Sequence, residues 1–142
     1  MSASKVPIEL IAAYMRTRYR ALTPEGEIVL RIGEPSDAIT QLIRAAGAKG
    51  AAFITAENPF SEQLSASENY VRQKCLRDDL ALLGATAFEG EGQGDDPAWP
   101  AETSYLAVGI TYDEARDLGT KYQQNAIVWI DATGTPELLM LR

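Results

Sequence analysis

The sequence predicts a single domain of the α/β (α+β) class: a mixed sheet of about six strands with about four helices, an early βαβ unit and a C-terminal β-hairpin. Three observations predict it. Helical apolar spacing and strand alternation interchange along the chain. Two capping boxes of the S/T-x-x-E type, Ser65–Glu68 and Thr111–Glu114, mark helix starts. The 142 residues suit one domain, residues 1–142, and not two. A chain of this size buries roughly 68–70% of its unfolded surface. It therefore needs no disulfide or metal to hold a core.

In chain order, residues 7–22 read as a helix. Pro7 suits a first helical position, and Ile8, Ile11, Met15 and Leu22 supply an apolar stripe. Pro24-Glu25-Gly26 signals a turn. Residues 27–32 alternate, with Ile28, Leu30 and Ile32 on one face, as a strand does. Ser36 suits the N-cap of a helix over 37–46, where Ile39, Leu42, Ile43 and Ala46 share a face. Residues 51–56 form a short apolar run, the pattern of a buried central strand. Strand, helix and strand in that order predict a right-handed βαβ crossover.

The third helix starts at Ser65 and runs to Leu83, with Gly84 beyond its end. Leu76, Leu80 and Leu83 mark its buried stripe. Helical steps backward carry that stripe through Gln73 and Asn69, so one face changes from apolar to polar along its length. Residues 86–91 and 104–110 read as strands, with a loop over 92–100. A short helix runs to about Tyr122 after Thr111. Residues 125–131 are a strongly apolar strand, and residues 137–141 return as its hairpin partner.

Composition excludes several chemistries. The net charge is −7, from 13 basic and 20 acidic residues, which opposes binding to nucleic acid. Arg16, Arg18 and Arg20 crowd one stretch and read as a solvated helix face. The chain has no His, so Ser-His-Asp and Cys-His catalysis are excluded. The single Cys75 forms no internal disulfide and reads as a buried or inert thiol. No metal site is expected. The acidic run Glu89, Glu91, Asp95 and Asp96 reads as surface, and Gly90-x-Gly92-x-Gly94 lacks dinucleotide-loop spacing. No segment approaches a membrane span or a signal peptide, so the expected compartment is the cytoplasm of a bacterium-like cell.

Four clusters of polar residues are candidates for ligand binding. Asn58 follows the buried strand, where ligands of open α/β sheets collect; it equally suits an Asx-type turn. Asn69 and Arg72 stand at the start of the third helix, which favours anions; alternatively, Asn69 ties down the 57–64 loop. Trp99 and Glu102 precede a strand. Glu102 is the one candidate general acid or base, Trp99 a candidate stacking ring, and both suit structural roles as well. Gln124 and Asn125 enter the last apolar strand, where their amides can serve a ligand or loop carbonyls.

Taken together, several segments resemble a known family. They are Tyr14-x-x-Thr17-x-Tyr19, Ile32-Gly33, Ile54-Thr55-Ala56-x-Asn58-Pro59, Asn69 with Leu76 and Leu80, Trp99-Pro100-x-Glu102-x-Ser104, and Gln124-Asn125-Ala126. The family is that of small bacterial proteins known as domain of unknown function 3293. The likeness runs from about Tyr14 to Leu141. It implies a small bacterial intracellular domain and supplies no activity or cofactor. An aromatic residue is common in the family at position 57; Glu57 stands here, which implies an altered rim if that aromatic covers a pocket.

Two functions compete. One is a site for a small anionic or nucleotide-like ligand, built from Asn58, Asn69, Arg72, Trp99, Glu102, Gln124 and Asn125. The other is a non-enzymatic regulatory or protein-interaction module in which those residues are struts.

Overall fold

The computed structural model describes residues 4–94 and 101–142. Its elements are α1 (Ile8–Arg16), β1 (Arg18–Thr23), β2 (Gly26–Leu30), α2 (Asp37–Ala45), β3 (Gly50–Ile54), α3 (Ala66–Leu82), β4 (Thr86–Gln93), β5 (Glu102–Val108), α4 (Tyr112–Lys121), β6 (Ala126–Asp131) and β7 (Pro136–Met140). A single 3₁₀ turn, Pro59–Ser61, lies between β3 and α3. The strands form one sheet in the order β2-β1-β4-β5-β3-β6-β7.

The α+β class and the four helices agree with the sequence, and the strand count is seven instead of about six. Every adjacent pair is antiparallel, so the sheet is not mixed. The expected βαβ unit does not pair: β2 and β3 run the same way, but β1, β4 and β5 lie between them. The crossovers that do form are split. α3 connects β3 to β4 around β5, and α4 connects β5 to β6 around β3. This β-α-β-β-α-β order is that of the ferredoxin-like split βαβ motif. The β1–β2 hairpin extends it at one edge and β7 at the other, β7 forming the expected hairpin with β6.

Helices cover both faces. α3 and α4 cover one face, where Ala52, Ile54, Tyr105 and Trp129 meet Leu76, Leu80 and Leu118. α2 covers the other through Ile39 and Ile43, against Ala51, Leu106, Val128 and Ile130. Full burial of each such Leu or Ile is worth about 1.5–3 kcal/mol. The capping boxes at Ser65 and Thr111 are both formed, and Ser36 accepts from the Ile39 amide.

The largest difference from the sequence reading is at residues 7–22. The helix ends at Arg16, and Thr17 turns to extended backbone. Residues 18–23 are a strand: Tyr19 and Ala21 point into the core, while Arg18 and Leu22 are exposed. Ile8, proposed for the buried stripe, is 79% exposed. Tyr-Arg-Ala-Leu-Thr alternates as well as it fits a helix, and pairing with β2 and β4 on both sides settles it. Arg18 and Arg20 therefore sit on a strand and not on a helix face. Leu83 is also more exposed than the stripe implied, and Cys75 is exposed, not buried.

Candidate functional site

The loop that follows β3 organises the candidate site. Asn58 has φ 48, Phe60 φ 52 and Ser61 φ 62, and nearby Gln123 has φ 59. Non-glycine residues in this region cost on the order of 1 kcal/mol each or more, and persist only where their surroundings impose them. The Phe60 amide donates to the Gln123 carbonyl at 2.7 Å, joining the two strained segments.

The polar end of α3 imposes this conformation. The Asn69 side chain accepts from the Asn58 amide at 3.0 Å and donates to Asn58 Oδ1 at 2.9 Å. Asn58 Oδ1 also accepts from the Leu64 amide at 3.1 Å. Gln73 Oε1 accepts from the buried Ala56 amide at 2.6 Å, and Gln73 Nε2 donates to the Thr103 carbonyl at 3.0 Å. Arg72 donates to the Ala56 and Tyr122 carbonyls and to Gln123 Oε1. Asn69 and Gln73 are both buried, as the change of character along the α3 face implied. The loop thus obtains on α3 the hydrogen bonds that a buried backbone requires.

Asn125 performs a similar task from the position just before β6. Its Nδ2 donates to Ser61 Oγ at 3.0 Å and to the Tyr14 hydroxyl at 3.2 Å, and its Oδ1 accepts from Arg142 at 3.1 Å. Arg142 also lies over the Phe60 ring, 4.0 Å from its centroid. Gln124 Nε2 donates to the Glu57 and Tyr122 carbonyls.

Two cavities flank this loop. The first, about 310 Å³, lies between α1 and the sheet. Leu10 and Ala13 of α1 form one apolar wall, and Phe53, Val128 and Leu138 another. Its polar lining includes Asn58, Glu102, Ser104 and Gln124. No residue of α1 is fully buried, so this helix roofs the cavity and does not close it. The second cavity, about 750 Å³, is a more polar groove beside α3, lined by Glu57, Asn69, Gln73 and Tyr105 among others. Asn58 and Glu102 line both.

Of the seven residues proposed from sequence, Asn58, Glu102 and Gln124 line the first cavity, and Asn69 the second. Arg72 and Asn125 line neither and bind other parts of the chain. Trp99 lies outside the described residues, as do Asp95 and Asp96. Glu57 accepts from the Thr103 amide at 3.0 Å and lines the groove beside α3. Tyr14, Tyr19, Phe53, Gly92 and Gly94 line the first cavity and had not been proposed for it. A signal was present in the sequence. Glycines at 90, 92 and 94 repeat with the period of a strand; Gly90 and Gly92 lie on β4 and Gly94 just past its end, so the row strips side chains from one face. Gly92 lies beside Tyr19, and a Cβ there would meet the ring at an ordinary contact distance of 3.6 Å.

Glu102 is the one acidic residue lining the first cavity among the described residues. Asn58 Nδ2 donates to its Oε2 at 3.0 Å and is its one described side-chain partner. Burial pushes its pKa above the ordinary 4.5, with the Glu57 charge adding to the rise and the Asn58 hydrogen bond opposing it. The folded protein therefore holds this proton more tightly than the unfolded chain. The resulting stabilisation is complete below the ordinary carboxylate range and is lost as pH rises through the raised value. Glu102→Gln is expected to remove that part of the loss, so that its melting temperature falls less than the parent's from acid to neutral pH. Parallel melting curves against pH for the two proteins would count against a proton held at Glu102.

Among the described residues, no helix is long and apolar enough to cross a membrane. No curated protein and no solved structure matches the chain. A family match covers residues 54–127, just over half of the chain, from the end of β3 through α3, β4, β5 and α4 into β6. That span holds both split crossovers and the Asn58–Glu102 pair, and by it the chain belongs to the family described as Protein of unknown function (DUF3293).

Proposed function

We propose that the protein binds a small, largely apolar molecule in the cavity between α1 and the sheet, with Asn58, Glu102 and Gln124 as its polar contacts. The observation that carries this reading is the cavity itself. Its volume of about 310 Å³ lies within the range of about 300–1,000 Å³ typical of small-molecule sites. Apolar walls with a few convergent polar groups are the usual make-up of such sites. The strained loop at its rim is a second support, because strain of this kind gathers at ligand sites. Asn69, Arg72 and Asn125 then serve the site by holding that loop.

An anionic or nucleotide-like ligand was expected on account of Arg72 and Trp99. Arg72 donates to Ala56, Tyr122 and Gln123 and lines neither cavity, so the cavity's own residues are the better guide to ligand chemistry. The exposed free thiol of Cys75 fits a reducing compartment such as a bacterial cytoplasm.

One observation favours the alternative of an interaction module: Asn69, Arg72, Gln73 and Asn125 direct their side chains to other parts of this chain. A fragment screen on Ala13→Phe separates the two readings, because a ring at this α1 position fills the cavity. Fragments that bind the parent are expected to shift amide signals of cavity residues and to weaken about tenfold or more in the variant. Fragments that bind both proteins equally, or that map outside the cavity, would favour the interaction module.

A further inference from the structure

We propose that the ligand of this cavity is a small organic cation, an amine on an aromatic or branched apolar body, whose ammonium group sits on Glu102. This rests on the small-molecule reading above and adds the charge of the ligand to it.

The argument comes from counting donors and acceptors around the cavity. Among the described residues, most donors of the polar lining bond within the protein, the exceptions being one N–H of Asn58 Nδ2 and one proton of the Tyr14–Ser61 hydroxyl pair. Asn58 Nδ2 goes to Glu102, and Gln124 Nε2 goes to the Glu57 and Tyr122 carbonyls. The Ser104 hydroxyl donates to the Glu102 carbonyl at 3.2 Å, Thr17 to the Ala13 carbonyl at 2.8 Å, and Tyr19 to the Tyr14 carbonyl at 2.9 Å. A hydroxyl whose proton is committed still has lone pairs to offer, although Asn58 Oδ1 already accepts from Leu64 and Asn69. The lining that remains is therefore rich in acceptors. An ammonium group is donor-only, with three N–H groups, and it matches such a lining. A carboxylate or phosphate, which only accepts, finds few donors there.

Charge and ring chemistry point the same way. Glu102 Oε1 has no hydrogen-bond donor among the described residues, and a carboxylate in apolar surroundings gains most from a cationic donor. Tyr14, Tyr19 and Phe53 line the same cavity, and the Tyr19 and Phe53 rings meet edge to face at 5.2 Å and 65°. Aromatic faces attract an ammonium group that has left water. Arg16 is the one basic residue among the described lining; it is exposed and already has an interaction of its own.

Three probes of similar shape test this: phenethylamine, phenethyl alcohol and hydrocinnamate, with positive, neutral and negative heads. Each is titrated at neutral pH into the isotope-labelled protein, with the amides of cavity residues as readout. The expected result is phenethylamine at least about tenfold tighter than the alcohol, with hydrocinnamate weakest. In Glu102→Gln the preference for the amine over the alcohol should vanish. If the alcohol or hydrocinnamate binds the parent as tightly as the amine, the cation is overturned and the small-molecule reading stands. If none of the three moves a cavity residue, both are overturned. The ranking in the parent protein decides the matter even if the variant does not fold.

Discussion

Gly90→Ala is expected to destabilise the protein by about 3 kcal/mol, at the upper end of what an overpacking methyl group usually costs. A Cβ at Gly90 would lie 2.1 Å from the Arg20 carbonyl oxygen and 3.2 Å from Ala21 Cα. Both are backbone atoms of β1, so no rotamer change can relieve the contact. The Phe53 ring edge, 3.1 Å away, closes the remaining side. Gly90 pairs with Ala21 in the β1–β4 ladder, so the β1–β2 hairpin must shift away from β4 to admit the methyl group. Urea unfolding measures the loss. Gly94→Ala is the control, since among the described residues nothing lies within 4 Å of the Cβ it would gain. A change at Gly90 no larger than about 0.5 kcal/mol, the range of ordinary surface substitutions, would mean that the two strands are not so closely apposed.

Gln73→Ala has the next largest expected effect, about 2–4 kcal/mol. The buried Ala56 amide loses its acceptor, and an unsatisfied buried group costs about 1–3 kcal/mol. The Thr103 carbonyl loses one donor but keeps Thr55 Oγ1 at 2.7 Å, so its share is smaller. The rest comes from the space left by a side chain that is 6% exposed. Because Gln73 holds the chain just before the strained loop, hydrogen exchange at the Ala56 amide should accelerate more than exchange at the α4 amides. Uniform acceleration across the protein would show that the effect is global and that Gln73 does not specifically restrain the loop. Exposed Lys74 provides the comparison on the same helix, with a change within about 0.5 kcal/mol on truncation.

These two positions also show how far the sequence could be read. Gln73 was legible because α3 is long and its period unambiguous: stepping back from Leu76 and Leu80 reaches Gln73 and Asn69, and both are buried. Gly90 was seen only as part of a motif that failed to match a dinucleotide loop. Its role depends on β1, and β1 had been read as the end of a helix. Asn58 and Glu102 were each singled out as polar residues at strand ends. Their pairing across 44 positions was not legible, and neither was the 111-residue reach from Asn125 to the Tyr14 hydroxyl.

The sequence by itself determined the α+β class, helices α2, α3 and α4, the C-terminal hairpin and the polar stretch of α3. Their signals are local: a cap, a period, a glycine just past a helix end. Tertiary structure alone decided that residues 18–23 form a strand, that the sheet is antiparallel throughout, and that Leu10, Ala13, Phe53 and Glu102 enclose a cavity. The physical reason is the same in each case. A short amphipathic segment such as Tyr-Arg-Ala-Leu-Thr suits either a helix or a strand, and only the backbone groups it meets across the sheet decide between them. A cavity is likewise defined by side chains missing from several segments at once, and no single segment carries that information.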